Sequence, residues 1–577
     1  MNRLVSKIVS FALSAAVVSS IAIIPSVSVS AAGSTPIVAG DTIKDEWKLS
    51  FGTAEKDGYI HVPKSAHPVM GDLETGAECE YGFVGTHDED FNFPSTYDAF
   101  AMVKGHVTKL KETVNGVGSV GSEAGTDGFD YPLRFAMNCE TGDYFRVALT
   151  LTNLDDGDAE DVTVFSERQH VVISHETIKS GEEIKLEFSV DVEPVYFKSE
   201  GRRFIDDMLN ISVAGRNVAL KDMTIQKVKP GTTVWVLGDS TVTDGLNSLP
   251  FFNLVGCTGT GASLSKYLAK DIAVSNQGEG GLNAWDNQHF AVADENIKQG
   301  DYMYVQYGHN HKNDGVHGYV CALDKYYQTC KREGATLVIV SPIERHLSWQ
   351  FHPENNEWTD SLAGFARAGK GYVDCMIYGG EEAAAEYAKT YDVAANADAN
   401  GDGNADGDAA GEKAAEAYKE TVLAKNSTER KVTNIAFVDM NTHALGWLAS
   451  ISKEGTVMGQ KLTSDMRLVD YYYQDGTHPN ALGSQGLVEG MFLNSQKQIR
   501  EYPALRGLLE TYEGNIPADN STASGRRASK VPQRIMDITW AHGDGYPKNV
   551  SQYKYPTVVR KVNFNEDGSL ENMEVGL

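Results

Sequence analysis

Five short, almost continuously apolar runs recur along the second half of the chain, at residues 234–237, 272–275, 302–307, 336–341 and 435–439. A strand that is apolar at every position has both faces buried, which is the condition inside a parallel sheet covered by helices. Residues 264–270 and 323–332, lying between the runs, have helical composition and spacing. The pattern predicts an α/β domain in which helices cover both faces of the sheet. The ligand crevice of such a sheet opens beyond the carboxyl ends of its strands. Ser240 follows the first run and Asn310 the third, so both fall on that edge.

Residues 34–229 read differently. Residues 184–192 alternate apolar and polar without a break, as a strand with one buried face should. Further strands are expected at 144–152, 162–165, 171–174 and 218–228, separated by Asp/Gly clusters such as Asp155-Asp156-Gly157-Asp158. Many short strands with turn signals between them predict an all-β sandwich. Lys229-Pro230-Gly231 ends that pattern. The expected organisation is a leader at 1–32, the sandwich at 34–229 and an α/β domain at 231–515. An acidic insert lies near 392–412, and an extension without legible chemistry follows at 516–577.

Arg3 and Lys7 precede an apolar run that ends in small residues at Ser30-Ala31-Ala32, which reads as an export signal with an uncleaved anchor as the alternative. Pro25 and the small-residue pattern favour removal, so the expected location is extracellular. The formal charge is −28, and loss of Arg3 and Lys7 makes it two units more negative. Such a surface repels nucleic acid and anionic membranes, which removes both as expected partners. The six cysteines show no CxxC spacing and suggest neither a disulfide framework nor a zinc site.

The chemistry is concentrated in four blocks. Gly238-Asp239-Ser240 sits on a turn after a strand. Asn276-Gln277-Gly278-Glu279-Gly280-Gly281 and Gln306-Tyr307-Gly308-His309-Asn310 also follow strands, and Asp475-Gly476-Thr477-His478 comes far downstream. A serine hydroxyl needs a base to take its proton, and the base needs a carboxylate to hold its tautomer. Singly, each residue has a plainer role: Ser240 as a cap, Asn310 as a turn residue, Asp475 and His478 as a surface turn.

Together and in this order, the blocks resemble the SGNH, or GDSL, hydrolase superfamily. Leu237 to Thr241, Gln306 to Asn310 and Ser341-Pro342-Ile343-Glu344-Arg345 are most similar to its rhamnogalacturonan acetylesterase-like branch. The resemblance covers roughly residues 233–512. It implies a three-layer, flavodoxin-like α/β/α hydrolase domain with Ser240 as nucleophile, His478 as general base and acid, and Asp475 orienting the imidazole. It also implies oxyanion donors from the backbone N–H groups of Ser240 and Gly281 and from the Asn310 amide. The reaction would need no metal or organic cofactor. Leu282 stands where the family commonly has arginine, and His311 where it commonly has an acid, which bears on the substrate more than on the reaction. The implied substrate is an acetylated plant cell-wall polysaccharide, rhamnogalacturonan first and xylan second. A lipase or thioesterase of the same superfamily is one alternative, and a non-catalytic polysaccharide-binding protein is the other. The segments 47–52, 58–62 and 81–85 resemble the β-modules that precede such esterases, which implies either carbohydrate binding or support of the catalytic domain.

In the acidic insert, Asp398, Asn400, Asp402, Asn404 and Asp406 with Gly403 match the oxygen-ligand and glycine positions of a calcium loop, but Ala409 stands where a bidentate acid belongs. A structural calcium ion and a solvated acidic loop both remain open on this pattern. His309, His311 and His317 fit solvated or substrate-facing roles better than a catalytic metal site.

Overall fold

The computed structural model describes residues 43–52, 56–87, 107–112, 120–122, 132–198, 201–244, 258–345, 351–352, 357–426, 428–445, 456–457, 460–461, 477–479, 481–493, 495–509, 558–564 and 570–573. The expected leader and Asp475 lie outside them. Among the described residues no helix is long and apolar enough to cross a membrane.

Five parallel strands form the second sheet system: β1 (Thr232–Gly238), β2 (Ile272–Asn276), β3 (Tyr302–Gln306), β4 (Thr336–Val340) and β5 (Ile435–Val438). Their spatial order is β2-β1-β3-β4-β5. Every residue of all five is buried. The neighbouring helices are α1 (Thr260–Ser263), α2 (Gln288–Asn296), α3 (Gly315–Glu333), α4 (Ala363–Gly379), α5 (Glu381–Ala395), α6 (Asp408–Asn426) and α7 (Ala481–Leu493). The chain steps from β1 to β2 in one direction and then back across β1 to β3, so the switch point of the sheet lies at the carboxyl end of β1. Right-handed crossovers then place the β1–β2 connection and the later ones on opposite faces.

The amino-terminal region is β-structure as expected. Tyr144–Asn153, Ala159–Ser166, His170–Ile178, Ile184–Asp191 and Val218–Val228 are strands at the predicted places. They belong to two mainly antiparallel sheets that share one core, in which Phe51, Leu149 and Ile225 of one meet Phe135, Val164 and Ile211 of the other. The strict alternation expected over 184–192 holds only in its first half. Phe188, Ser189, Val190 and Asp191 are all buried, because the polar face of this strand is covered by the α/β domain. Ser189 Oγ donates to Lys270 O (2.8 Å), Thr233 Oγ1 donates to Asp191, and Tyr144 OH donates to Asp271 O (2.9 Å). The seam is thus polar but hydrogen-bonded, the condition for burying such groups without large cost.

Two other segments depart from expectation. Helical structure over 264–270 is limited to a 3-10 turn at Leu264–Lys266, preceded by the single turn α1. Here the backbone is pressed against the Ser240 loop: a Cβ on Gly259 or Gly261 would lie 2.3 Å from backbone atoms of Val242. That contact packs the start of α1 on the Ser240 loop, and after Lys266 the chain turns through Ile272 N–H bonding Ala269 O straight into β2, which leaves no room for a longer helix. In the extension, Val558–Phe564 is a strand paired antiparallel with Glu357–Asp360 of the α/β domain.

Candidate active site

The turn that carries Ser240 is built by its neighbours. Gly238 ends β1 where a Cβ would stand 2.4 Å from Val242 Cγ2 and 2.5 Å from Gln306 O, so no larger residue fits without displacement. Asp239 is fully buried, and its Oδ1 accepts Thr241 N–H (2.9 Å) and Thr241 Oγ1–H (2.8 Å), closing the turn on both sides of Ser240. Burial pushes the Asp239 carboxyl upward, partly offset by the Thr241 bonds. Ser240 is left 7 % exposed.

His478, 238 positions downstream, meets it: Nε2 lies 2.6 Å from Ser240 Oγ. This is within general-base range. For Nε2 to accept the hydroxyl proton, the ring must carry its own proton on Nδ1, which calls for an acceptor on that side. Asp475, expected to fill that role, lies outside the described residues. The loop bearing His478 is pinned by Thr258 N–H donating to Pro479 O (2.8 Å). Helix α7 behind it is fastened to α1, with Ser484 Oγ donating to Gly259 O (2.7 Å) and lying 2.6 Å from Ser263 Oγ. The amino-terminal β-region braces the same helix, since Ser174 Oγ and Lys266 Nζ both donate to Gln485 Oε1 (2.7 and 2.8 Å).

The expected oxyanion residues sit on the next two loops. Gly281 follows β2 with φ +77°, a conformation that suits glycine. Asn310 follows β3, and its Nδ2 donates to Leu282 O (3.0 Å), which leaves one amide hydrogen for another acceptor. Asn276 and His311 hold these loops in place. His309 and His311, expected to be solvated or substrate-facing, are buried, because their rings are packed within the loops that they support. Asn276 Nδ2 donates to Val242 O (2.8 Å) and to Asp244, while its Oδ1 accepts Gly278 N–H (2.9 Å), so it joins the Ser240 loop to the Gly281 loop. His311 Nε2 accepts Ala284 N–H (3.0 Å), and its Nδ1 lies 3.1 Å from Asp314 Oδ2, joining the Gly281 loop to the Asn310 loop. The histidine where the family commonly has an acid therefore supports structure from within the wall. Glu344 accepts Leu362 N–H (2.9 Å) and Ser361 Oγ–H (2.7 Å) at the start of α4, so the Ser341 to Arg345 block anchors a helix. Leu282, where the family commonly has arginine, is buried.

His289 completes the support. Its Nε2 lies 2.8 Å from Glu279 Oε2 and its Nδ1 3.1 Å from Asp286 Oδ2. Burial would lower its pKa, but the two carboxylates override this and hold it above the ordinary imidazole value. Glu279 and Asp286, despite burial, are held below theirs by the same bonds. A raised histidine stabilises fully below its unfolded pKa of 6.5 and loses that contribution as pH rises through the folded value. The depressed acids stabilise above their unfolded values of 4.5 and 3.8 and lose that contribution as pH falls. The tie is therefore complete between about pH 4.5 and 6.5. His289→Leu should lower the urea midpoint most at pH 5.5 and progressively less above neutrality. A deficit independent of pH would mean that the charges play no part.

The acidic insert lies between α5 and α6, away from this machinery in the chain. Asp398 Oδ1 and Oδ2 accept Asp402 and Gly403 N–H (3.0 and 2.9 Å), Asn400 Oδ1 accepts Asp402 N–H (3.0 Å), and Asp402 Oδ1 accepts Asn404 N–H (2.8 Å). These side chains are exposed. Asp408 is turned elsewhere, accepting Val316 and His317 N–H (2.9 and 3.1 Å) at the start of α3 and lying 2.9 Å from His317 Nδ1. The oxygen donors suit a hard cation, but the late position that should supply a bidentate acid has none, so the set fits calcium only in part. Among the described residues no group of three or more His, Cys, Asp or Glu side chains could hold a metal ion. Cys79, Cys139, Cys321, Cys330 and Cys375 are free thiols.

No family model and no curated protein matches the chain. Solved structures that it resembles include the Bacillus subtilis protein YXIM, at 18 % identity and a TM-score of 0.30 over 79 % of this chain and 98 % of that one. Another is a carbohydrate esterase family 2 enzyme with a carbohydrate-binding domain from Corynascus thermopiles, at 10 % identity and TM-score 0.22 over 67 % and 99 %. A third is Axe2, an acetylxylan esterase from Geobacillus stearothermophilus, at 12 % identity and TM-score 0.25 over 45 % and 93 %.

Proposed function

We propose that the protein is a secreted serine esterase that removes acetyl groups from a plant cell-wall polysaccharide, rhamnogalacturonan first and xylan second. The observation that carries this reading is the 2.6 Å contact between Ser240 Oγ and His478 Nε2 at the switch point of the parallel sheet. In the proposed sequence, Ser240 Oγ attacks the ester carbonyl while His478 Nε2 takes its proton, and Asp475 holds the opposite nitrogen. The oxyanion is received by the N–H groups of Ser240 and Gly281 and by Asn310 Nδ2, each such donor typically contributing about 10²–10³ in rate. His478 then returns the proton to the departing sugar hydroxyl, leaving an acetyl-enzyme that water cleaves by the same steps in reverse. Neither step calls on a metal, so calcium at the Asp398 loop would be structural in this scheme. The β-region is proposed as a carbohydrate-binding-like sandwich module that also braces the site, a role its bonds to Gln485 and Glu279 support.

The test is acetate release by wild type and Ser240→Ala from acetylated pectin, acetylated xylan and 4-nitrophenyl esters of increasing chain length. The expected result is release from one polysaccharide and from short esters, abolished in the variant. Activity that rises with acyl length would instead mark a lipase, and undiminished release by the variant would remove Ser240 as nucleophile.

A further inference from the structure

A hairpin of the β-region, Val195–Phe197 with Arg202–Phe204, reaches across to the Gly281 loop. Lys198, next after the first strand, donates its backbone N–H to Glu279 Oε2 (2.8 Å). Its exposed side chain continues to the glycine pair, where Nζ lies 3.5 Å from Gly280 O and 3.4 Å from Gly281 O. A Cβ on Gly281 would stand 3.1 Å from that ammonium. Both carbonyl contacts are long for hydrogen bonds, and the only partners that the described residues give Lys198 Nζ are these two carbonyls. The β-region thus delivers a cation with spare donors to the proposed oxyanion loop of a chain whose net charge is −28. On so acidic a surface an anionic polymer is repelled unless a local field reverses the sign.

The same loop carries an aromatic platform. Trp285, four positions after Gly281, is 48 % exposed, although large apolar side chains are normally covered. It is not loosely placed. Its backbone N–H donates to Asn283 Oδ1 (3.0 Å), and its side chain lies near enough to Asp314 to help hold that carboxyl below the usual carboxylate range. Asp314 is itself tied to His311 on the Asn310 loop. The backbone beneath the indole is therefore fixed within the Gly281 loop, and nearly half of the side chain is open to solvent. An oriented, exposed aromatic face beside a cleft is suited to the apolar face of a pyranose ring.

We propose that Lys198 and Trp285 form a subsite for an acidic sugar, the ammonium pairing with the carboxylate of a uronic acid and the indole carrying a neighbouring ring. The proposal rests on the esterase reading and narrows its substrate to a uronate-containing glycan. Lys198 acts here as a specificity residue, outside the proton-transfer steps. Its place on the β-region also explains why that module belongs to the site.

Binding separates this proposal from catalysis. Ser240→Ala protein is titrated calorimetrically with oligogalacturonate and with a neutral xylo-oligosaccharide, at low and at high salt. Adding Lys198→Ala should weaken oligogalacturonate binding about tenfold and remove most of its salt dependence, while shifting the neutral ligand far less. Lys198→Arg should restore the preference, and Trp285→Ala should weaken both ligands. No oligogalacturonate binding by the parent, or equal losses on both ligands in Lys198→Ala, overturns the subsite. Failure of the esterase reading appears separately, as absence of acetate or 4-nitrophenol release by the wild type. If oligogalacturonate selectivity survives that failure, the subsite stands as a binding site without hydrolysis.

Discussion

Ser240→Ala and His478→Ala should each lower kcat for 4-nitrophenyl acetate by about 10⁴- to 10⁶-fold, and the double variant should be no slower than the worse single one. The reason lies in how the two groups work. Oγ is nucleophilic only while Nε2 removes its proton, and Nε2 has no proton to take when Oγ is gone. At 2.6 Å the pair already has the geometry of that transfer. Each deletion therefore removes the same step, and the losses cannot add. The residual rate reports what the oxyanion donors and binding still supply. Both variants should keep the far-ultraviolet circular dichroism of the wild type, because the turn is closed by Asp239 and Thr241 and the His478 loop by Thr258 and Pro479. If the two losses multiplied in the double variant, the residues would be acting independently, and the nucleophile–base assignment would fail.

The parts of this site that were legible from sequence are those set by local rules. Strands buried on both faces leave runs such as Val234 to Leu237, and the sheet edge they define locates Ser240 and Asn310 without a homologue. The pairing of Ser240 with His478 was legible through the order of the four blocks and the resemblance that they carry, since chemistry alone does not select one histidine among 15. What escaped depends on contacts between distant segments. Ser189 and Asp191 look like the wet side of a strand until the other domain covers them. Lys198 reads as one more surface lysine, and only the fold brings it to Gly281. In sequence, His311 stands out only as a departure from a family pattern. Its bond to Ala284 N–H shows that the position supports the neighbouring loop, a role that spacing alone does not encode. The helical reading of 264–270 holds only as far as Lys266, because the chain turns at Ala269 to Ile272 into the next strand, and that short connection overrides intrinsic propensity.

Asn276 is the clearest case of a residue whose importance is tertiary, and its replacement carries the other large expected effect. Asn276→Ala should cost about 3 kcal/mol in stability, because the Gly278 N–H and the Val242 carbonyl lose their partner in a buried setting. It should also lower kcat about a hundredfold with little change in KM, because the nucleophile loop and the Gly281 loop would no longer be held to each other. Asn276→Asp separates these contributions. The aspartate keeps an oxygen for Gly278 N–H and nearly the same volume, but it sets a carboxylate against Asp244 and the Val242 carbonyl. Burial alone would raise the Asp244 carboxyl, yet His170 and Arg168 hold it below the usual carboxylate range, so it meets the new charge ionised. Like charges in that position repel, and the aspartate variant should be at least as damaged as the alanine one. Urea unfolding and steady-state kinetics on both variants decide the point. Wild-type activity in Asn276→Asp would mean that the two amide donations do not hold the loops together, and the register of nucleophile and oxyanion donors would then have to be set by Gly238 and the strand ends alone.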